Sequence, residues 1–253
     1  MVTASSRGLG RAIALSLARE GAEVALCARG KESLFQARDE IRSETGRMVQ
    51  AYPADVADAD QVSRMVAAVR EDFGAVDILV CNAGGPPAGT IVDFGPQDYR
   101  KAVDLNLMST IRLCYSVLPG MRARKWGRIV ALTSVSARQP LDNLVLSNTA
   151  RSGVLGFTKS LSNFLAPHGV TVNAVCPGYT RTERVDELAR DFESRGSGPA
   201  EEYFREIEKT IPLGRMGRPE ELAATVTFLC SEPAGYITGT ALSVDGGYIR
   251  ALY

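Results

Sequence analysis

The chain has 253 residues, 45% of them apolar, and 29 Lys plus Arg against 29 Asp plus Glu. That size allows one large α/β core, and the balanced charge gives no field that would draw the chain to nucleic acid or an anionic membrane. The five cysteines, Cys27, Cys81, Cys114, Cys176 and Cys230, form no CxxC pair and there is one histidine. A zinc cluster is therefore not expected, and reduced, buried thiols in a cytoplasmic protein are. No apolar stretch approaches a membrane span, and no charged-then-apolar leader opens the sequence. The nearest approach to a basic patch, Arg122, Arg124, Lys125 and Arg128, stands at a helix end before a strand, where cations suit the helix dipole.

In chain order, the first signal is Thr3-Ala4-Ser5-Ser6-Arg7-Gly8-Leu9-Gly10, which leads directly into a helix carrying the stripe Leu9, Ile13 and Leu17. Glycines at such a turn let the backbone approach a pyrophosphate at the positive end of the helix. Only Met1 and Val2 precede the turn, whereas a first strand normally has about five residues. Apolar runs follow at 24–28, 48–51, 76–81, 129–132, 170–176 and 241–244. They are apolar on both faces, as strands buried between two helix layers must be. Helical stripes lie between them: Val62, Met65, Val66, Val69 and Phe73, then Val154, Phe157, Leu161 and Leu165. This alternation predicts a Rossmann-type α/β fold, a doubly wound parallel sheet with helices on both faces, in one domain spanning 1–253.

Two stretches break the rhythm. Residues 82–90 hold two prolines and three glycines after a strand, where loops carry function. Residues 182–210 are highly charged, and read either as a substrate lid or as a solvated surface excursion.

The octet resembles the TGxxxGxG turn of the short-chain dehydrogenase/reductase family, with Ala4 in place of the first glycine. Further matches follow in family order: Asp55-Val56, Cys81-Asn82-Ala83-Gly84, Asn106, Ser134, Pro177-Gly178 with Thr182, and the ending Val244-Asp245-Gly246-Gly247. The resemblance covers essentially the whole chain. It implies a nicotinamide dinucleotide held by Thr3, Ser5, Arg7, Gly8, Leu9, Gly10, Arg29, Asp55, Val56, Asn82, Gly84, Arg151, Pro177, Gly178 and Thr182. It also implies a small-molecule carbonyl or alcohol substrate, and a homotetramer built on two long helices, here 96–121 and 150–165.

NADP(H) is favoured over NAD(H) on charge. An acid after the second strand would hold a ribose 2′-hydroxyl and repel a 2′-phosphate. This chain has Cys27-Ala28-Arg29 there, and Arg7 lies in the glycine turn, so two guanidiniums are placed for one phosphate.

At the catalytic positions the pattern departs from the family. The resemblance assigns a tyrosine and, four residues later, a lysine to proton transfer, assisted by a serine and an asparagine. Asn106 and Ser134 match the last two, but Ser147 and Arg151 stand at the tyrosine and lysine positions. An aliphatic hydroxyl is a far weaker acid than a phenol, and arginine stays charged. The expectation is thus an oxidoreductase interconverting carbonyl and alcohol, possessing an unusual proton donor and resembling 3-oxoacyl reductases. The alternative is an NADP(H)-binding sensor or scaffold with little or no catalysis. Ser147 positioning a water, Tyr179, or the substrate itself are the candidate proton sources.

Overall fold

In the computed structural model, residues 1–194, 196 and 198–252 are described, with the backbone alone at Arg184 and Asp191. Seven parallel strands form one sheet in the order β3-β2-β1-β4-β5-β6-β7. They are β1 (Val2–Thr3), β2 (Val24–Ala28), β3 (Val49–Pro53), β4 (Ile78–Cys81), β5 (Gly127–Leu132), β6 (Val170–Pro177) and β7 (Ala241–Val244). Strands β2, β5 and β6 are buried along their whole length, as their apolar character on both faces requires. Two apolar clusters fill the two faces. One gathers Ile129, Val172, Val117, Leu113 and Leu165, the other Ile13, Leu17, Leu26, Val130 and Leu229.

The helices are α1 (Gly8–Arg19), α2 (Lys31–Thr45), α3 (Ala59–Phe73), α4 (Pro96–Val103), α5 (Ser109–Arg124), α6 (Val145–Leu165), α7 (Glu183–Ser194), α8 (Ala200–Thr210) and α9 (Pro219–Cys230). Asp58 starts α3 by accepting hydrogen bonds from the N–H groups of Asp60 and Gln61, the usual role of an aspartate at a helix N-terminus. Helices α4 and α5 are one continuous rod interrupted by a π turn, Asp104–Met108, which the sequence pattern did not announce. Among the described residues no helix is long and apolar enough to cross a membrane, and no group of His, Cys, Asp and Glu could hold a metal ion. All five cysteines are free and buried.

Strand β1 is two residues long, yet it sits at the centre of the sheet, with Val2 opposite both Leu26 and Val80. The Met1 ammonium is buried and donates to the Ile78 carbonyl at 2.8 Å. Burial lowers its pKa from 8.0 to about 6, because a charge in an apolar surrounding is costly. The basic patch is dispersed by the fold. Arg124 pairs with Asp77 at 3.1 Å, Arg128 is buried and donates to the Gly127 carbonyl, and Arg122 lies over the Phe164 ring.

Candidate functional site

Because every strand runs the same way, all carboxyl ends open on one side of the sheet. The strand order reverses between β1 and β4, and at such a switch point open α/β sheets bind their ligands. The glycine turn lies there. Arg7, the residue before α1, is extended, and no side chain caps the helix, so its first N–H groups are left without that partner. A Cβ at Gly10 would lie 2.2 Å from the Ala4 carbonyl oxygen, so only glycine fits, and Gly8 has φ +56°. Ala4 has φ 46°, a left-handed conformation that costs an L-residue about 1–2 kcal/mol. An open helix terminus, with glycines at positions 8 and 10 of the turn, fits a dinucleotide pyrophosphate.

Two residues expected at the cofactor have hydroxyls that face inward. Thr3 and Ser5 are fully buried. The Thr3 hydroxyl donates to the Asn82 carbonyl at 2.7 Å and accepts from the Asn82 N–H at 2.9 Å. The Ser5 hydroxyl donates to the Val2 carbonyl at 2.9 Å and accepts from the Cys27 N–H at 3.0 Å. Both shape the turn from beneath. Asn82 helps from the other side, donating from Nδ2 to the Ala4 carbonyl at 3.2 Å. Leu9 is half-buried and packs into the core behind the turn, while Gly84 is exposed beyond β4.

The charges expected at a 2′-phosphate stand at the ends of β1 and β2. Arg29 is 74% exposed and 4.0 Å from Asp55. Arg7 is 64% exposed and pairs at 3.0 Å with Glu187 of α7. Asp55 is half-buried, accepts from the Ala57 N–H at 2.9 Å, and precedes the buried Val56. Opposite, Pro177 ends β6 beside Val244, Gly178 lies so close to Asp245 that a Cβ would stand 2.7 Å from its Cα, and Thr182 approaches Gly8.

The charged insertion thus begins over the glycine turn, where the side chains of Thr182 and Glu183 would lie within 4 Å of a Cβ placed at Gly8. Its helices α7 and α8 carry an aromatic cluster. Phe192 and Tyr203 have ring centroids 5.5 Å apart, Tyr203 and Phe204 6.0 Å, and Arg181 stacks 3.7 Å over Phe204. Residues 195 and 197 of this insertion lie outside the described residues.

The catalytic candidates gather at the ends of β5 and α6. Ser134 begins a 3₁₀ turn, Val135–Ala137, and its Oγ accepts from the Ser136 N–H at 3.1 Å, which leaves its own proton available to donate. Ser147 and Arg151 lie one turn apart on the buried face of α6. The Ser147 hydroxyl is 3.0 Å from that of Ser136. Arg151 donates from Nη1 to the carbonyls of Thr133 at 2.9 Å and Leu132 at 3.2 Å. No carboxylate pairs with it among the described residues, and burial lowers its pKa from 12.5 to about 10. Asn106, on the π turn, is buried and donates from Nδ2 to the Gly84 carbonyl at 3.0 Å, and its Oδ1 has no partner.

Tyr179 follows Gly178 at the end of β6, and its ring meets Tyr248 edge-on at 5.5 Å. Burial, then the neighbouring phenol of Tyr248, pushes its pKa up to about 12. Ser136 was not among the sequence candidates. Its only signal is its place two residues after Ser134, on the turn that Ser134 caps.

Comparison with known proteins agrees along the whole length. The family model described as enoyl-(acyl carrier protein) reductase matches residues 3–249. The short-chain reductase protein NovJ of Streptomyces niveus is 39% identical over 249 residues, covering 98% of this chain and 92% of that protein. A 3-oxoacyl-(acyl-carrier-protein) reductase of Synechocystis is 35% identical over 251 residues, covering 98% and 96%. Among solved structures, L-sorbose reductase from Gluconobacter frateurii, complexed with NADPH and L-sorbose, superposes with a TM-score of 0.96. It is 34% identical, over 99% of this chain and 96% of that one.

Proposed function

The chain belongs to the short-chain dehydrogenase/reductase family, and from that premise we propose that it is an NADP(H)-dependent oxidoreductase that interconverts a carbonyl and an alcohol without a tyrosine proton donor. The observation that carries this reading is the meeting of two half-sites at one end of the sheet. The uncapped α1 terminus behind Gly8 and Gly10 is one, and the Ser134, Ser147 and Arg151 cluster is the other. Reductases with related sequences and an NADPH-bound structural relative support it.

The nicotinamide, when bound, supplies or receives the hydride. The residues of the chain supply everything else. Gly8, Leu9 and Gly10 would offer backbone N–H groups to the pyrophosphate, and Arg7 and Arg29 would hold the 2′-phosphate. Val56 and Asp55 would flank the adenine, with Asn82, Gly84, Pro177, Gly178 and Thr182 lining the nicotinamide half. Arg151 uses one nitrogen on the β5 carbonyls and would turn its remaining donors to the ribose. Ser134 would donate to the carbonyl oxygen. Ser147 and Ser136 share one hydrogen bond, so one proton of the pair remains to orient a water, which would give a proton to the alkoxide and regain one from solvent before the next turnover. Helices α7 and α8 would act as the lid over the substrate, excluding bulk water.

One observation favours a second reading, an NADP(H)-responsive sensor or scaffold. The buried hydroxyl at Ser147 is engaged with Ser136, and neither group titrates near neutrality. Turnover of a carbonyl panel with NADPH separates the two readings. Substrate-dependent NADPH oxidation supports the enzyme, whereas NADPH binding with no oxidation across the panel supports the sensor.

Assembly belongs to the same proposal. The stripe Val154, Leu161 and Leu165 packs on the sheet. The outer side of α5 and α6 instead bears a groove of about 540 Å³, lined by Tyr115, Leu118, Phe157 and Phe164 among others. Tyr115 is 66% and Phe164 54% exposed, and a second copy of the chain would cover these rings. Sedimentation analysis checks it, a monomer at micromolar concentration being the contrary result.

A further inference from the structure

We propose that Arg112 is a positioning residue which locks the adenine-side loop and the Asn106 turn into one unit. The inference rests on the cofactor reading above. Arg112 lies on α5, outside every cofactor motif, and its side chain is 24% exposed. Its Nη1 donates to the Ala57 carbonyl at 2.8 Å, and its Nη2 donates to Asp104 Oδ1 at 3.0 Å. One guanidinium therefore joins the Ala57 loop, 55 residues before it in sequence, to Asp104, eight residues before it.

Each segment carries a site residue. Ala57 closes the loop of Asp55 and Val56, whose own bonds are local: Asp55 accepts from the Ala57 N–H, and the Gln61 side chain accepts from the Asp55 N–H at 3.0 Å. Asp104 opens the π turn that presents Asn106, whose Nδ2 holds the Gly84 carbonyl. The clamp thus runs from the adenine loop through Arg112 and Asp104 to Asn106 and Gly84.

The π turn is what makes the clamp possible. In a regular α-helix, residues eight apart are rotated by about 80° from one another. One extra residue in a turn removes about 100° of that rotation, which brings Asp104 and Arg112 onto one face. Arginine suits the position because its planar fork can serve two acceptors at once, which a lysine ammonium on a flexible stem does less well.

The test is calorimetric titration of NADPH and of adenosine 2′,5′-bisphosphate into the full chain and into Arg112→Met, Arg112→Lys and Asp104→Asn. Arg112→Met should weaken the bisphosphate several-fold, up to about tenfold, since the one charge-assisted hydrogen bond to the loop sets the ceiling. Arg112→Lys should fall between. Asp104→Asn should leave the bisphosphate unchanged while weakening NADPH, because only the arm to Asn106 is cut. A folded Arg112→Met that binds the bisphosphate as tightly as the unsubstituted chain overturns the proposal, and if that variant does not fold, the same result with Arg112→Lys overturns it. Should the unsubstituted chain bind neither compound, the cofactor reading fails instead. The clamp is then judged by hydrogen exchange of the amides of residues 55–58, which must quicken in Arg112→Lys.

Discussion

Ser147 and Ser136 face each other at 3.0 Å from helix α6 and the 3₁₀ turn after β5, both buried. Ser147 stands where the family pattern has a phenol, and its partner Ser136 lies two residues after Ser134, which matches the family serine. Neither hydroxyl can be deprotonated near neutrality without an adjacent base, so the pair can orient a water but supplies no acid of suitable strength. Ser147→Ala should therefore lower kcat at least about tenfold while NADPH affinity stays within about twofold, the pattern of an interaction made mainly in the transition state. Ser147→Tyr with Arg151→Lys should raise turnover. Steady-state kinetics beside cofactor titration checks both, and fast turnover indifferent to Ser147 would contradict the assignment.

Arg151 is a buried cation with carbonyl partners and no carboxylate. Its pKa is depressed from 12.5 to about 10, so the folded state bears the full penalty of the charge at any pH well below 10. That penalty, about 3 kcal/mol at 1.4 kcal/mol per pKa unit, offsets the loss of two hydrogen bonds. Arg151→Met should then leave the melting temperature unchanged or raise it, while weakening NADPH at least about tenfold. A large fall in melting temperature would show that the two carbonyl bonds dominate.

Cofactor choice turns on Arg7, which the structure pairs with Glu187. NADPH should bind about ten- to a hundredfold more tightly than NADH, as expected for charge-assisted phosphate contacts. The Arg7–Glu187 pair is largely exposed, and such pairs contribute about 0–1 kcal/mol. Glu187→Gln should release Arg7 and tighten NADPH by up to about fivefold, with NADH unaffected. Equal gains for both cofactors would place the effect elsewhere.

The strands and the main stripes were legible because burial on both faces leaves an unbroken apolar run, as at 24–28 and 170–176. The π turn at 104–108 was not, since an inserted residue changes the helical phase without changing residue type. The short β1 was legible as an oddity, but its paired neighbours were not. At the site, motif order located the glycine turn, Ser134 and Asn106. It also named Thr3 and Ser5, but not that their hydroxyls turn inward onto the backbone of Asn82, Val2 and Cys27. Side-chain direction of that kind depends on tertiary partners far off in sequence. Ser136 and Arg112 were missed for the same reason: each acts through an atom that only the folded chain brings near.

The five buried cysteines make the molecule its own reporter. They are distributed over β2, β4, α5, β6 and α9, so almost every part of the sheet and two of its covering helices holds one thiol. A reagent in the solvent can modify each only when its element opens. The order in which the five are labelled would therefore map which parts of the chain loosen first, with no added probe. Cofactor added beforehand should slow labelling most at Cys27 and Cys81, which lie near the carboxyl ends of the two strands beside β1.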